Sequence, residues 1–200
     1  MYAYYDALPT WSSSYLWPVL RRIITERAWP EKRAFDLGCG NGATANMVSR
    51  LGFEVTAVDT SQDGIGLAAA SFPHLRCELG NVYDDLASKY GTFPLVISLE
   101  VIEHCMEPRR FAETFRQLLA SGGTGIISTP YHGYAKNLAL SIAGKWDAHL
   151  NPLWDGGHIK FFSIRSLRSL LGEVGLHDIS FERVGRIAPL AKSMVAIIRG

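Results

Sequence analysis

Little in this sequence is extreme, and each shortfall removes a class of protein. Only three cysteines occur, Cys39, Cys77 and Cys105, odd in number and far apart. They offer neither a disulfide framework nor a cysteine metal site, and read as reduced cytosolic thiols. Neither sign of charge is in excess, since 20 Lys and Arg against 19 Asp and Glu leave a formal net charge of +1. That balance excludes the broad positive footprint of a nucleic-acid or anionic-membrane binder, and no nucleic-acid partner is expected. No apolar run reaches the length of a membrane span, and the N-terminus lacks the basic-then-apolar order of a secretory signal. The expected location is the cytoplasm. Repeats and low-complexity tracts are missing too. What remains is 200 residues, 48% of them hydrophobic, enough for one α/β domain with a sizeable core and too few for a second.

The informative stretch is Phe35-Asp36-Leu37-Gly38-Cys39-Gly40-Asn41-Gly42, an apolar strand end that breaks into a glycine turn. Alternate glycines let backbone come within contact distance of a ligand. The spacing predicts a helix over 43–51 whose first amides point at that ligand. A tight turn that binds nothing has the same composition, so the next segment matters. Residues 53–59 read as a strand ending in Asp59, about twenty residues past the turn, where α/β folds place an acid for the two ribose hydroxyls. Gly38, Gly40 and Gly42 depart from the G-x-G-x-x-G of dinucleotide sites, because the third glycine comes one residue early. A pyrophosphate is therefore not the favoured ligand, which weighs against a NAD(P)-binding module.

Together with Val58-Asp59-Thr60-Ser61 and Leu95-Val96-Ile97-Ser98, this turn resembles the class I S-adenosylmethionine-dependent methyltransferases. The resemblance implies an α/β, Rossmann-like, doubly wound seven-stranded sheet, mostly parallel with an antiparallel last strand and helices on both faces. It also implies S-adenosylmethionine as cofactor. Asp36, Gly38 and Gly40 would hold the methionine end, Asp59 and Thr60 the ribose, and Asn81 with Val82 the adenine, while Leu99 offers backbone near the amino group. Asn81 lies in Gly80-Asn81-Val82, which reads equally well as a simple turn.

Along the chain, further strands are expected at 74–79, 93–98, 124–129, 177–184 and 193–198. Helices are expected from Ser14, with Pro18 in the first turn, over 61–72 with breaks at Gly64 and Gly66, over 108–119, and over 163–174 with Ser163 as cap. A single domain over 1–200 would carry two additions. Residues 1–30 contain a helix and the rings Tyr2, Tyr4, Tyr5 and Trp11, which either anchor that helix or, as the family implies, fold over cofactor and acceptor as a lid. Residues 130–160 break the βα rhythm and form an acceptor-side insertion, with a short helix at 137–145. Tyr131, Tyr134, Trp146 and Trp154 in it would wall a planar or lipid-like acceptor.

A hydroxyl acceptor must lose a proton before it attacks a sulfonium methyl, so a base or a metal is needed. Glu100-Val101-Ile102-Glu103-His104 follows the fourth strand, and in a helical turn Glu100, Glu103 and His104 share one face. Gly156-Gly157-His158 can turn a fourth ligand back toward them. Two carboxylates and two imidazoles suit a divalent cation such as Mg, Mn or Zn. The alternative is that the acids and imidazole cap a turn without metal. His104 or His158 is then the general base, with His132 a third candidate. This corner, with His158-Ile159-Lys160-Phe161-Phe162, looks like the ubiquinone-biosynthesis O-methyltransferases and, similarly, the small-RNA 2′-O-methyltransferases. In the RNA group the matching residues bind a divalent ion that engages both hydroxyls of a vicinal pair. The expected reaction is O-methylation of a small hydroxylated, catechol-like molecule. The rivals are an N- or C-methyltransferase without metal, and a nucleotide-binding module without transfer. Oligomeric state is not readable from the sequence.

Overall fold

The computed structural model describes residues 4–200; Tyr2, one of the N-terminal rings, lies outside them. The elements run α1 (Ser13–Thr25), β1 (Arg33–Leu37), α2 (Ala43–Ser49), β2 (Glu54–Asp59), α3 (Gln62–Ser71), β3 (Arg76–Leu79), α4 (Leu86–Tyr90) and β4 (Phe93–Leu99). Then follow α5 (Pro108–Leu118), β5 (Leu119–Pro130), α6 (Tyr134–Ile142), α7 (Trp146–Leu150), α8 (Ile164–Glu173), β6 (Asp178–Val184) and β7 (Ser193–Arg199). The strands form one sheet in the order β3-β2-β1-β4-β5-β7-β6. All neighbours from β3 to β5 are parallel, and β7 runs antiparallel to both β5 and β6.

Strand alternation splits the core in two. Phe35, Leu37 and Val96 pack with Phe111, Phe115 and Leu118 of α5 and Leu167, Leu170 and Leu171 of α8. Ala34, Leu95 and Ile97, one residue out of phase, pack with Leu16, Leu20 and Ile24 of α1 and Met47 and Val48 of α2. Both faces are thus covered by helices, as near-continuous apolar strands require. Chain order reverses between β1 and β4, and the crevice outside their carboxyl ends is where such sheets bind ligands.

Three expectations shift. Helix α1 starts at Ser13, so Pro18 stands in its second turn and not its first. Burial of Leu16, Leu20 and Ile24 outweighs the backbone bond that proline removes. Helix α3 runs unbroken through Gly64 and Gly66, capped by the Ser61 hydroxyl accepting from Gly64 N. Gly64 is small because a Cβ there would stand 2.7 Å from the Gly40 carbonyl oxygen. The insertion helix begins at Tyr134 and ends at Ile142, with α7 as a second short helix behind it.

Candidate active site

At the end of β1 the chain turns through Gly38 at φ +86°, where a Cβ would stand 2.5 Å from Val101 Cγ2. The Gly38 and Cys39 amides both donate to the Val58 carbonyl, at 2.9 and 3.0 Å, which ties this turn to β2. Asp59 closes β2, and its two oxygens accept from Gly40 N and Ser61 N, each at 2.8 Å. Each oxygen keeps a further lone pair for a hydroxyl. Burial pushes this carboxyl upward, against the pull of those amides. Asp36, one strand across, is 2% exposed, and its Oδ2 has no hydrogen-bond partner. Burial first, and then the charge of Asp59, push its carboxyl up to about 7. A buried carboxylate lining a cavity without a partner fits an ammonium group, which the methionine end of the expected cofactor carries.

One cavity of about 860 Å³ runs from Asp36, Asp59, Thr60 and Leu99 to His104, His158 and the insertion. The chain before α1 closes its cofactor side. Asn41 Nδ2 donates to the carbonyls of Asp6 and Leu8, both at 2.9 Å, and the Tyr4 ring covers Gly40. Tyr4, Trp11 and Tyr15 line the cavity, whereas Tyr5 is 92% exposed. Asn81 and Val82 are outside this lining. Asn81 Oδ1 accepts from Tyr83 N at 3.1 Å in a local turn, and Val82 packs on the core.

Beyond β4 the expected helical turn is a 3-10 turn, Ile102–His104, entered through Glu100 in the left-handed region at φ +56°. This reversal takes Glu100 off the face of Glu103 and His104. Its oxygens instead accept from Ser128 Oγ at 2.8 Å and Ser193 Oγ at 3.0 Å. Burial pushes its carboxyl up to about 7, the two hydroxyls pulling the other way. Glu103 is fully buried, and neither of its carboxylate oxygens has a hydrogen-bond partner. The Thr129 hydroxyl lies near without reaching hydrogen-bond geometry, and burial pushes Glu103 far upward.

The turn at Gly156, φ +77°, brings the insertion back as its glycines predict. Ile159 N and Lys160 N both donate to the Glu103 carbonyl, at 2.9 and 3.0 Å, and pin His158 beside it. His158 Nε2 lies 3.9 Å from Glu103 Oε1. Burial and neighbouring His104 push His158 down to about 4, so it is a neutral imidazole. His104 Nδ1 lies 2.8 Å from the Gly156 carbonyl. A carbonyl only accepts, so Nδ1 carries the hydrogen and Nε2 is the ring atom left to serve as a ligand. Glu103, His104 and His158 each offer one ligand atom within 4.8 Å of the others, while Glu100 stands outside this trio. An orphaned carboxylate with two imidazoles is a fitting donor set for a divalent cation.

Other expected site residues fall elsewhere. His132 is buried beside His149, 5.6 Å between ring centres, and outside the cavity lining. Of Tyr131, Tyr134, Trp146 and Trp154 only Trp154 lines the cavity; Tyr134 is 84% exposed and Trp146 donates to Ser141 Oγ at 3.0 Å. The cavity-lining stripe of α6 is Lys136, Ala139 and Leu140, continued by the C-cap Ala143. That stripe has helical spacing legible in the sequence, and it brings in Lys136, which the ring-based reading passed over.

Comparison with known proteins adds the family. The profile described as "Methyltransferase domain" matches residues 16–180. The chain is 39% identical over 116 residues to a ubiquinone biosynthesis O-methyltransferase of Caulobacter sp. (strain K31), covering 56% of this chain and 46% of that protein. It is 28% identical over 167 residues to the protein of the same name from Ruegeria sp. (strain TM1040), covering 80% and 66%. The chain therefore spans about half to two-thirds of the length of these relatives. A Pyrococcus horikoshii OT3 crystal structure superposes with a TM-score of 0.73 at 19% identity, covering 98% of this chain and 94% of that one. Magnesium protoporphyrin IX methyltransferase from Synechocystis PCC 6803, solved with bound SAH, gives 0.66 at 19% identity, covering 92% and 81%. These two show the shared fold. With the domain match extending over most of its length, the chain belongs to the S-adenosylmethionine-dependent methyltransferase family.

Proposed function

We propose that this protein transfers a methyl group from S-adenosylmethionine to a hydroxyl of a small, catechol-like acceptor. The observation that carries this reading is Glu103, a fully buried carboxylate without hydrogen-bond partners, grouped with two imidazoles, His104 and His158, that line the same cavity as Asp36 and Asp59. In this reading Asp36 takes the cofactor's ammonium, Gly38 and Gly40 let its methionine end approach, and Asp59 and Thr60 receive the ribose. Within the N-terminal lid and helix of residues 1–30, α1 packs on the sheet and the segment from Tyr4 to Trp11 acts as the lid, while 130–160 shape the acceptor side of a single domain. The relatives' printed name, ubiquinone biosynthesis O-methyltransferase, supports oxygen as the acceptor atom.

Glu103, His104 and His158 would hold a divalent cation, with Glu100 on the cavity wall held by Ser128 and Ser193. Such an ion, when bound, makes a coordinated hydroxyl more acidic. The chain's own part is positioning: the cavity holds an acceptor oxygen in line with the methyl and keeps water out. With the ion held, the imidazole lone pairs would be engaged and the hydroxyl proton would pass to solvent; without it, His104 or His158 would take that proton as general base. As the new oxygen–carbon bond forms, the sulfur–carbon bond breaks and S-adenosylhomocysteine leaves.

The test is to assay the purified protein with S-adenosylmethionine and catechol, with and without EDTA, and to analyse the product by mass spectrometry. The expected product is the mono-O-methyl ether, lost on chelation and restored by Mg, Mn or Zn. Methyl transfer to an amine or carbon acceptor that survives EDTA and the double variant His104→Ala/His158→Ala would defeat the reading.

A further inference from the structure

The acceptor end of the cavity holds more positive charge than the chain neutralises. Lys136, Lys145, Arg186 and Lys192 all line it. Among the described residues none of the four forms an ion pair, and what sets them apart from other unpaired cations is that they share one cavity wall. They come from two segments, the 130–160 insertion and the β6–β7 connection. Lys136 is in α6, Lys145 caps α7, Arg186 follows β6 and Lys192 precedes β7. Lys136 is only 8% exposed, and its ammonium donates to the Lys192 carbonyl at 3.2 Å, which uses one of three hydrogens. Arg186 lies within electrostatic reach of Lys136, and His149 within reach of both. Lys192 Nζ stands 3.4 Å above the Trp11 ring. Glu100 offsets part of the charge on Lys136, but its oxygens already take the Ser128 and Ser193 hydroxyls.

Bringing cations together on a cavity wall, one of them buried, is costly unless an anion joins them. We propose that the acceptor itself bears an oxyanion, a carboxylate or phosphate held by Lys136, Arg186 and Lys192, with its hydroxyl directed to Glu103, His104 and His158. The guanidinium of Arg186 can grip two oxygens at once, while the buried Lys136 acts as a point charge. The hydroxyl end rests on the O-methylation reading; the anion site rests on the cations alone.

The test uses the full chain saturated with S-adenosylhomocysteine and measures binding of catechol, 3,4-dihydroxybenzoate and 3,4-dihydroxybenzyl phosphate by calorimetry. At least one anionic ligand is expected to bind about tenfold or more tightly than catechol at low salt, and the difference should shrink as salt rises. Whether the carboxylate or the phosphate gains more identifies the oxyanion. Arg186 is exposed, so Arg186→Ala and Arg186→Gln should fold, and both should bring the anionic ligands to within about twofold of catechol. S-adenosylhomocysteine affinity, measured in the same variants, should stay within about twofold of the parent, because the lost contact is with the acceptor. Equal binding of catechol and both anions, failure of both anions to bind, or a matching loss of S-adenosylhomocysteine affinity would each overturn the inference. Product analysis separates it from the wider reading. Preferential anion binding with no methylated product defeats O-methylation alone, and methylation without anion preference defeats the anion site alone.

Discussion

Replacing Asp36 with Asn measures what the cofactor site costs the cofactor-free protein. Asp36 is 2% exposed with one oxygen unpaired, and burial, reinforced by Asp59, raises it to about 7. In the unfolded chain an aspartate ionises near pH 3.9, about three units lower. Between those values the folded protein holds a proton that the unfolded chain has released. Stability therefore falls as pH rises through this window and levels off above about 7. The gap corresponds to about 4 kcal/mol at pH 8 as an upper bound. Asn has the same shape and no charge, but its amide brings an unmet donor that returns about 1–2 kcal/mol of the gain. The net stabilisation is about 2–3 kcal/mol, or about 5–10 °C in Tm for a chain of this size. Thermal melts of cofactor-free protein from pH 4 to 9 should show Asp36→Asn above the parent at pH 8, with the advantage gone by pH 4. Calorimetry with S-adenosylhomocysteine should show the opposite ranking, with affinity lower by at least about tenfold. A variant that melts at or below the parent at every pH, or binds S-adenosylhomocysteine equally well, would refute the idea of a carboxylate kept waiting for a cation.

Other outcomes follow from the same geometry. Removing the orphaned carboxylate in Glu103→Ala, or the imidazole in His158→Ala, should abolish any Tm rise caused by Mn or Zn and lower methyl transfer by about 100-fold, checked by thermal shift with metal titration and by product assay. Gly38→Ala places a methyl 2.5 Å from Val101 Cγ2 at φ +86°, so it should cost about 1–3 kcal/mol in urea melts and weaken S-adenosylhomocysteine binding. Glu78 is pulled down to about 2 by bonds from Lys89, then Arg76 and Tyr90. Its stabilising share is present above about pH 4 and fades as pH falls toward 2. Because this carboxylate is about one-third exposed, Glu78→Gln should cost only about 1 kcal/mol at pH 7, with the difference narrowing in melts at pH 3.

The seven strands, the glycine turn and the Ser163 cap were readable from the linear pattern, because each depends on residues within a few positions of one another. Apolar runs between glycine turns specify buried parallel strands, and a hydroxyl before a helical stripe specifies its start. Asp59 was legible for the same reason, as the acid at the end of the strand after the turn. Glu100 was not, since its direction depends on a left-handed backbone and on hydroxyls from Ser128 and Ser193, far along the chain. The approach of His158 to Glu103 was expected from the Gly156-Gly157 turn and the family resemblance, whereas the bonds that fix it needed the fold. Two amides of the returning insertion bind the Glu103 carbonyl, and no spacing rule reports a contact made across more than fifty residues. The cations at the acceptor end lie on two distant segments, the insertion and the β6–β7 connection, so their shared charge exists only once these close around one cavity. Periodicity encodes what neighbours along the chain must do, whereas burial and electrostatic field are set by neighbours in space.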